Sequence, residues 1–144
     1  METIQHLVAG AAWTGQSERF GDVYNPAMGK VHARVALASS ADVDHVVAVA
    51  RGAQPAWGAT PPAKRAQVMF ALRDLLNRHD DELAEMISRE HGKTVPDAKG
   101  ELQRGIEVVE FACGIPHLLK GEYSDGVAAG VDSFSIRQPV GVVA

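Results

Sequence analysis

Cys113 is the only thiol in this 144-residue chain, so any nucleophilic thiol chemistry encoded here would have to use it. Its neighbours argue against that. Within "VPDAKGELQRGIEVVEFACG", Ala98, Leu102, Ile106, Val109 and Cys113 form one apolar stripe at 100° per residue. A cysteine on such a stripe is a small buried hydrophobe, with nothing beside it to lower the thiol pKa. His6, His32, His45, His79, His91 and His117 make no H-x-x-x-H, H-E-x-x-H or Cys/His cluster at zinc spacing. Surface and capping roles are their default, and no metal site is expected. The same helix holds a more suggestive group, Glu101, Arg104 and Glu107 at i, i+3 and i+6. That spacing fits a solvated row of ion pairs contributing little. Yet Arg104 also lies near Val108 and Phe111, off the main stripe, with space beside Gly100 one turn earlier. Phe111 on this second face implies that another segment covers it, or that it borders a cavity. An arginine on the rim of a partly apolar cavity suits a small carboxylate, because its planar fork engages both oxygens. Spacing alone leaves both readings open.

Three textures along the chain must supply the scaffold. Residues 1–38 read as short strands and turns. "HLVAG" and "AAWTG" flank a turn at Ala9-Gly10, "YNPAMGK" forms a second turn, and "VHARVALA" alternates as a strand does. Residues 39–114 switch to a helical period. Ser39 with Asp42 three residues later marks an N-terminal cap, after which Val43, Val46, Val47 and Ala50 share a face. This helix is expected to stop before Pro55, with Trp57 packing as the chain leaves it. A second helix opens at Pro61-Pro62, with Val68, Leu72, Leu75 and Leu76 turned inward. A third runs from Asp80 to a left-handed stop at Gly92, and Thr94 with Asp97 caps the fourth, which ends near Gly114-Ile115-Pro116. Residues 115–132 read as a polar, Gly-punctuated connector. Residues 133–144, "SFSIRQPVGVVA", read as a strand interrupted by Pro139.

Such an apolar ending calls for cover. Either another chain pairs with it, or the 144 residues are the front of a longer protein. Successive helices without intervening strands are not a complete doubly wound nucleotide fold, and neither G-x-G-x-x-G nor G-x-x-x-x-G-K-[ST] is present. The formal net charge of −4, with Lys and Arg dispersed, argues against nucleic acid as a partner. Nothing approaches the roughly 20 apolar residues of a membrane span, and no secretory leader is evident. A single cysteine fits a reducing compartment, cytoplasmic or, after loss of a transit peptide, an organelle matrix.

The order of motifs resembles the aldehyde dehydrogenase superfamily: "YNPAMGKV", the Trp57 stretch "AQPAWGATPPAKRAQV", Glu90-x-Gly92-Lys93, and "RQPVGVVA". More narrowly, "RGIEVVEFACGIPHLLKGE" is similar to the coenzyme-A-acylating methylmalonate-semialdehyde (malonate-semialdehyde) dehydrogenases. The resemblance runs from about Leu7 to Ala144. It implies an α/β fold, namely the N-terminal portion of the family fold with short strands, about four helices and a strand entering an oligomerisation sheet. It also implies that the nucleotide-binding core, the NAD-positioning residues and the catalytic cysteine belong to sequence beyond this segment. No catalytic, cofactor-binding or metal residue is then expected here, and Cys113 does not match the family nucleophile. One carry-over remains: the Arg of "RGIE", Arg104, faces the substrate tunnel and meets the substrate carboxylate. The implied full-length enzyme converts a semialdehyde, coenzyme A and NAD into propionyl-CoA or acetyl-CoA, carbon dioxide and NADH. The implied partners are a small-molecule substrate, the remainder of the same chain and further copies, in the cytoplasm or a mitochondrial matrix. Two alternatives stand beside this one. One is a non-acylating aldehyde dehydrogenase, which a product assay with and without coenzyme A separates. The other is a stand-alone helical interaction domain.

Overall fold

Ala9 and Gly10 both have positive φ, 51° and 79°, the signature of the tight turn whose twist matches that of two paired strands. They join β2 (His6–Val8) to β3 (Ala11–Trp13), with Val8 opposite Ala11. The computed structural model describes residues 1–144. A three-stranded sheet of order β1-β5-β4 is built from β1 (Glu2–Ile4), β4 (Phe20–Asn25) and β5 (Lys30–Ala36). β1 runs parallel to β5, with Ile4 opposite Val35, and β4 runs antiparallel to it. The β4–β5 turn follows the expected chemistry. Asn25 Oδ1 accepts from the Ala27 and Met28 amides at 3.0 and 3.1 Å, and Gly29 takes φ 63°.

Four helices follow: α1 (Ser40–Ala59), α2 (Pro62–Arg78), α3 (Asp80–His91) and α4 (Val95–Cys113). Local chemistry sets their ends. Ser39 and Asp42 form a reciprocal capping box at the start of α1. Gly92, at φ 86°, ends α3, its amide donating to Ser88 O at 2.8 Å. Thr94 caps α4. The stripe expected on α4 is present: Ala98, Ile106 and Cys113 are buried, with Leu102 and Val109 half-buried. Against it pack α2 and α3, through buried Ala66 and Ala84. The core is thus built mainly of small side chains, which lets the backbones approach closely.

Four expectations are corrected. α1 does not stop before Pro55 but runs four residues past it. Pro55 removes one backbone bond, to the carbonyl of Arg51, an exposed residue on the outer face of the helix. The last carbonyls are held instead by Thr60, whose amide donates to Trp57 O and whose hydroxyl donates to Ala56 O at 3.0 Å. On α2, Val68, Leu72 and Leu75 are exposed, while Leu76 is half-buried and Ala66 is the buried residue. The apolar pattern of that helix serves more faces than this chain covers. Third, the polar, Gly-punctuated connector expected over residues 115–132 has regular structure. They contain the one-turn helix α5 (Ile115–Leu118) and a strand, β6 (Tyr123–Ala128), which pairs antiparallel with β7 (Val131–Phe134). The glycines read as breakers shape it, Gly130 at φ 70° in the turn and Gly126 at φ 61° where the ladder register shifts within β6. Finally, the strand expected over residues 133–144 is not formed beyond Phe134, and residues 135–144 are exposed and carry no regular secondary structure. Pro139 lacks an amide hydrogen, and no strand of the chain lies alongside to complete a ladder.

Candidate functional site

Arg104 sits two and a half turns into α4, where the Thr94 cap and the buried stripe fix the rotation of the helix. Its side chain is exposed, on the same side as Val108 and Phe111, which are 68% and 65% exposed. The covering segment expected over Phe111 is not supplied by these residues. Neither acidic neighbour pairs with Arg104. Glu101 is engaged by Lys93, and no salt bridge or side-chain hydrogen bond joins Arg104 to Glu107. The Lys93 ammonium, acting first by hydrogen bonding and then by its charge, holds the Glu101 carboxyl below the usual carboxylate range, with smaller contributions from His91 and Arg104. What emerges is a guanidinium beside two apolar side chains on an open face, able to take a planar anion in two hydrogen bonds.

The other candidates are dispersed. Cys113 is buried at the end of α4. His6 and His45 flank Trp13 with ring centroids 5.9 and 5.2 Å away. His32 lies 3.7 Å from Glu90, and His79 lies 3.0 Å from Glu82 at the start of α3. No three His, Cys, Asp or Glu side chains are grouped to hold a metal ion.

The structure adds two features that the sequence patterns did not single out. Asp42, 1% exposed, does more than cap α1. Its Oδ2 accepts from the Ser39 amide at 2.8 Å and the Ser39 hydroxyl at 2.7 Å, while Oδ1 accepts from the Gln16 amide at 2.7 Å. These donors, Ser39 foremost, push its pKa from 3.8 down to about 2 despite burial. The Ser-x-x-Asp spacing announced the cap, but nothing local announced the amide 26 residues upstream. Second, a cleft of about 480 Å³ opens between the β2–β3 hairpin, α1 and the last residues, walled by Trp13, Val43, Val46, Val47, Val142 and Val143. It is almost wholly apolar and presents no paired donors for a phosphate or carboxylate. No βαβ unit is present, since the one parallel pair, β1 with β5, is not joined by a crossover helix.

Comparison with known proteins agrees with this architecture. The malonate-semialdehyde dehydrogenase of Pseudomonas aeruginosa is 46% identical over 144 residues, covering all of this chain and 29% of that protein. The mitochondrial, acylating methylmalonate-semialdehyde dehydrogenase of Arabidopsis thaliana is 41% identical over 141 residues, covering 98% of this chain and 23% of that protein. A solved Sinorhizobium meliloti structure, assigned as a methylmalonate-semialdehyde dehydrogenase and complexed with NAD, superposes with a TM-score of 0.95 at 51% identity. It covers 98% of this chain and 29% of the other. The chain thus spans less than a third of the length of these relatives. Residues 13–144 match the aldehyde dehydrogenase family, and with that match laid over the same strand-and-helix order, the chain belongs to the aldehyde dehydrogenase family.

Proposed function

We propose that these residues are the N-terminal portion of an NAD-dependent, coenzyme-A-acylating dehydrogenase of methylmalonate or malonate semialdehyde, and that Arg104 binds the substrate carboxylate. The observation that carries the reading is the 46% identity, over every residue of the chain, to a malonate-semialdehyde dehydrogenase. The similarity to a relative called acylating supports the coenzyme A requirement, and the NAD-complexed neighbour supports the redox cofactor. In this reading both cofactors are held by sequence beyond this segment, no step involving them is assigned to it, and by itself it is expected to be inactive.

The work of this segment is recognition. A semialdehyde of this class carries a carboxylate that a simple aldehyde lacks, and the Arg104 fork supplies two charge-assisted hydrogen bonds to it. The apolar sides of Val108 and Phe111 limit the water competing for that anion. The remainder of the chain covers the open faces of α1, α2 and α4, the exposed β6–β7 hairpin offers edges to further copies, and the enzyme works in the cytoplasm or a mitochondrial matrix. No helix here is long and apolar enough to cross a membrane.

In the full-length protein, Arg104→Ala is expected to raise KM for methylmalonate semialdehyde on the order of a hundredfold, and far more than for propanal. Equal effects on the two substrates would reject the role. Turnover that yields the free acid without coenzyme A would move the protein to the non-acylating branch of the family.

A further inference from the structure

Arg104 has an acidic residue one turn to either side, and an exposed i, i+3 pair closes readily. A guanidinium already bound to its own helix would be a poor receptor for a substrate anion. Glu101 does not close on it, and the reason lies in the preceding turn. Gly92 ends α3 in a left-handed conformation, and the Ser88 hydroxyl donates to Lys93 O at 2.7 Å, fixing the short link between α3 and α4. Lys93 is thereby laid along α4 with its side chain only 21% exposed, and its ammonium takes the Glu101 carboxylate. Building on the Arg104 reading above, we propose that Lys93 is a positioning residue: by capturing Glu101 it keeps that carboxylate off Arg104 and, with Glu107 making no ion pair to it, leaves the guanidinium open to the substrate carboxylate. The proposal assigns Lys93 a part in specificity although it lies eleven residues from Arg104 and touches no substrate. That Glu101 feels both cations, Lys93 more strongly than Arg104, fits a carboxylate held by one and withheld from the other.

The alternative is that the Lys93–Glu101 pair only clamps α3 to α4, and the two roles separate in a double-mutant cycle on the full-length enzyme. Lys93→Met should raise KM for methylmalonate semialdehyde about fivefold, with kcat little changed and a much smaller effect on propanal. Glu101→Gln, which removes the competitor, should leave that KM at or below the wild-type value. The combination of Lys93→Met with Glu101→Gln should bring KM back to within about twofold of wild type. If instead Glu101→Gln alone raises KM as much as Lys93→Met, or the double variant is no better than Lys93→Met, the pair is a clamp and the proposal falls. Should Lys93→Met not fold, Glu101→Gln decides the matter alone, an unchanged or lower KM supporting the proposal and a raised one overturning it. Selectivity lost in Arg104→Ala but kept in Lys93→Met sinks only this inference. An Arg104→Ala enzyme that affects both substrates alike sinks the reading beneath it.

Discussion

Asp42 shows how one carboxylate ties two distant stretches of chain. It caps α1 through Ser39 and holds the loop before β4 through the Gln16 amide, and Gly15 at φ 78° keeps the space clear. A Cβ at Gly15 would stand 3.3 Å from the Asp42 carboxylate. Because folding lowers the Asp42 pKa, its stabilisation is present above the ordinary value of 3.8 and lost as the pH falls toward about 2. Asp42→Asn is therefore expected to lower the thermal midpoint by several degrees at neutral pH. The gap between mutant and wild type should close as the pH drops through that window. Circular dichroism melts across pH check both the size and the sign, and a gap that widens in acid would contradict the assignment.

Helix ends and helix faces were not equally legible in the sequence. The caps at Ser39 and Thr94, the left-handed stop at Gly92 and the turns at Ala9-Gly10 and Asn25-Gly29 could all be read, because each is settled by atoms within about five residues. The buried stripe of α4 was legible too, since α2 and α3 supply its cover within this chain. What failed depended on partners far away. The inward face of α2 was misread because Val68, Leu72 and Leu75 are exposed while Ala66, Met69 and Leu76 are the covered residues, and the β6–β7 hairpin was missed because its glycines resemble a linker. Arg104 could be nominated from its wheel position, but its lack of an ion pair could not, since the Lys93–Glu101 pair joins residues eight apart across the α3–α4 link. Glycines divide along the same line. Gly92→Ala meets both a positive φ and the Pro26 ring, 3.0 Å from the added carbon, and is expected to destabilise by about 1–2 kcal/mol. Gly100→Ala meets nothing within 4 Å in the middle of a helix and should stabilise the isolated chain by roughly 0.5–1 kcal/mol. Urea titrations of the two variants should move in opposite directions.

As a whole, the molecule has far more surface than its mass warrants. It exposes 10671 Å², whereas a self-contained monomer of 15.3 kDa exposes about 7,100 Å². The surplus of about 3,500 Å² is several times the roughly 800 Å² that one partner commits to a standard interface. Only eight of 144 residues are buried, and the exposed set includes Trp57, Phe111, Phe134 and most of the valines. Purified by itself, the 144-residue chain is expected to self-associate and to enhance the fluorescence of an apolar dye. Light scattering that returned a monodisperse 15.3 kDa species blind to the dye would overturn this picture.

The few buried positions have their own consequence. Five of them are alanines, and Ala84 and Ala98 show no accessible surface at all. With methyl groups in place of long branched side chains, trimming removes little packing, whereas an added carbon must push neighbouring elements apart, helices at Ala66, Ala84 and Ala98 and the layer over β5 at Ala33 and Ala36. Tolerance to mutation is therefore narrow at these positions: a glycine loosens the backbone, and a larger side chain is the change the close packing is least able to absorb.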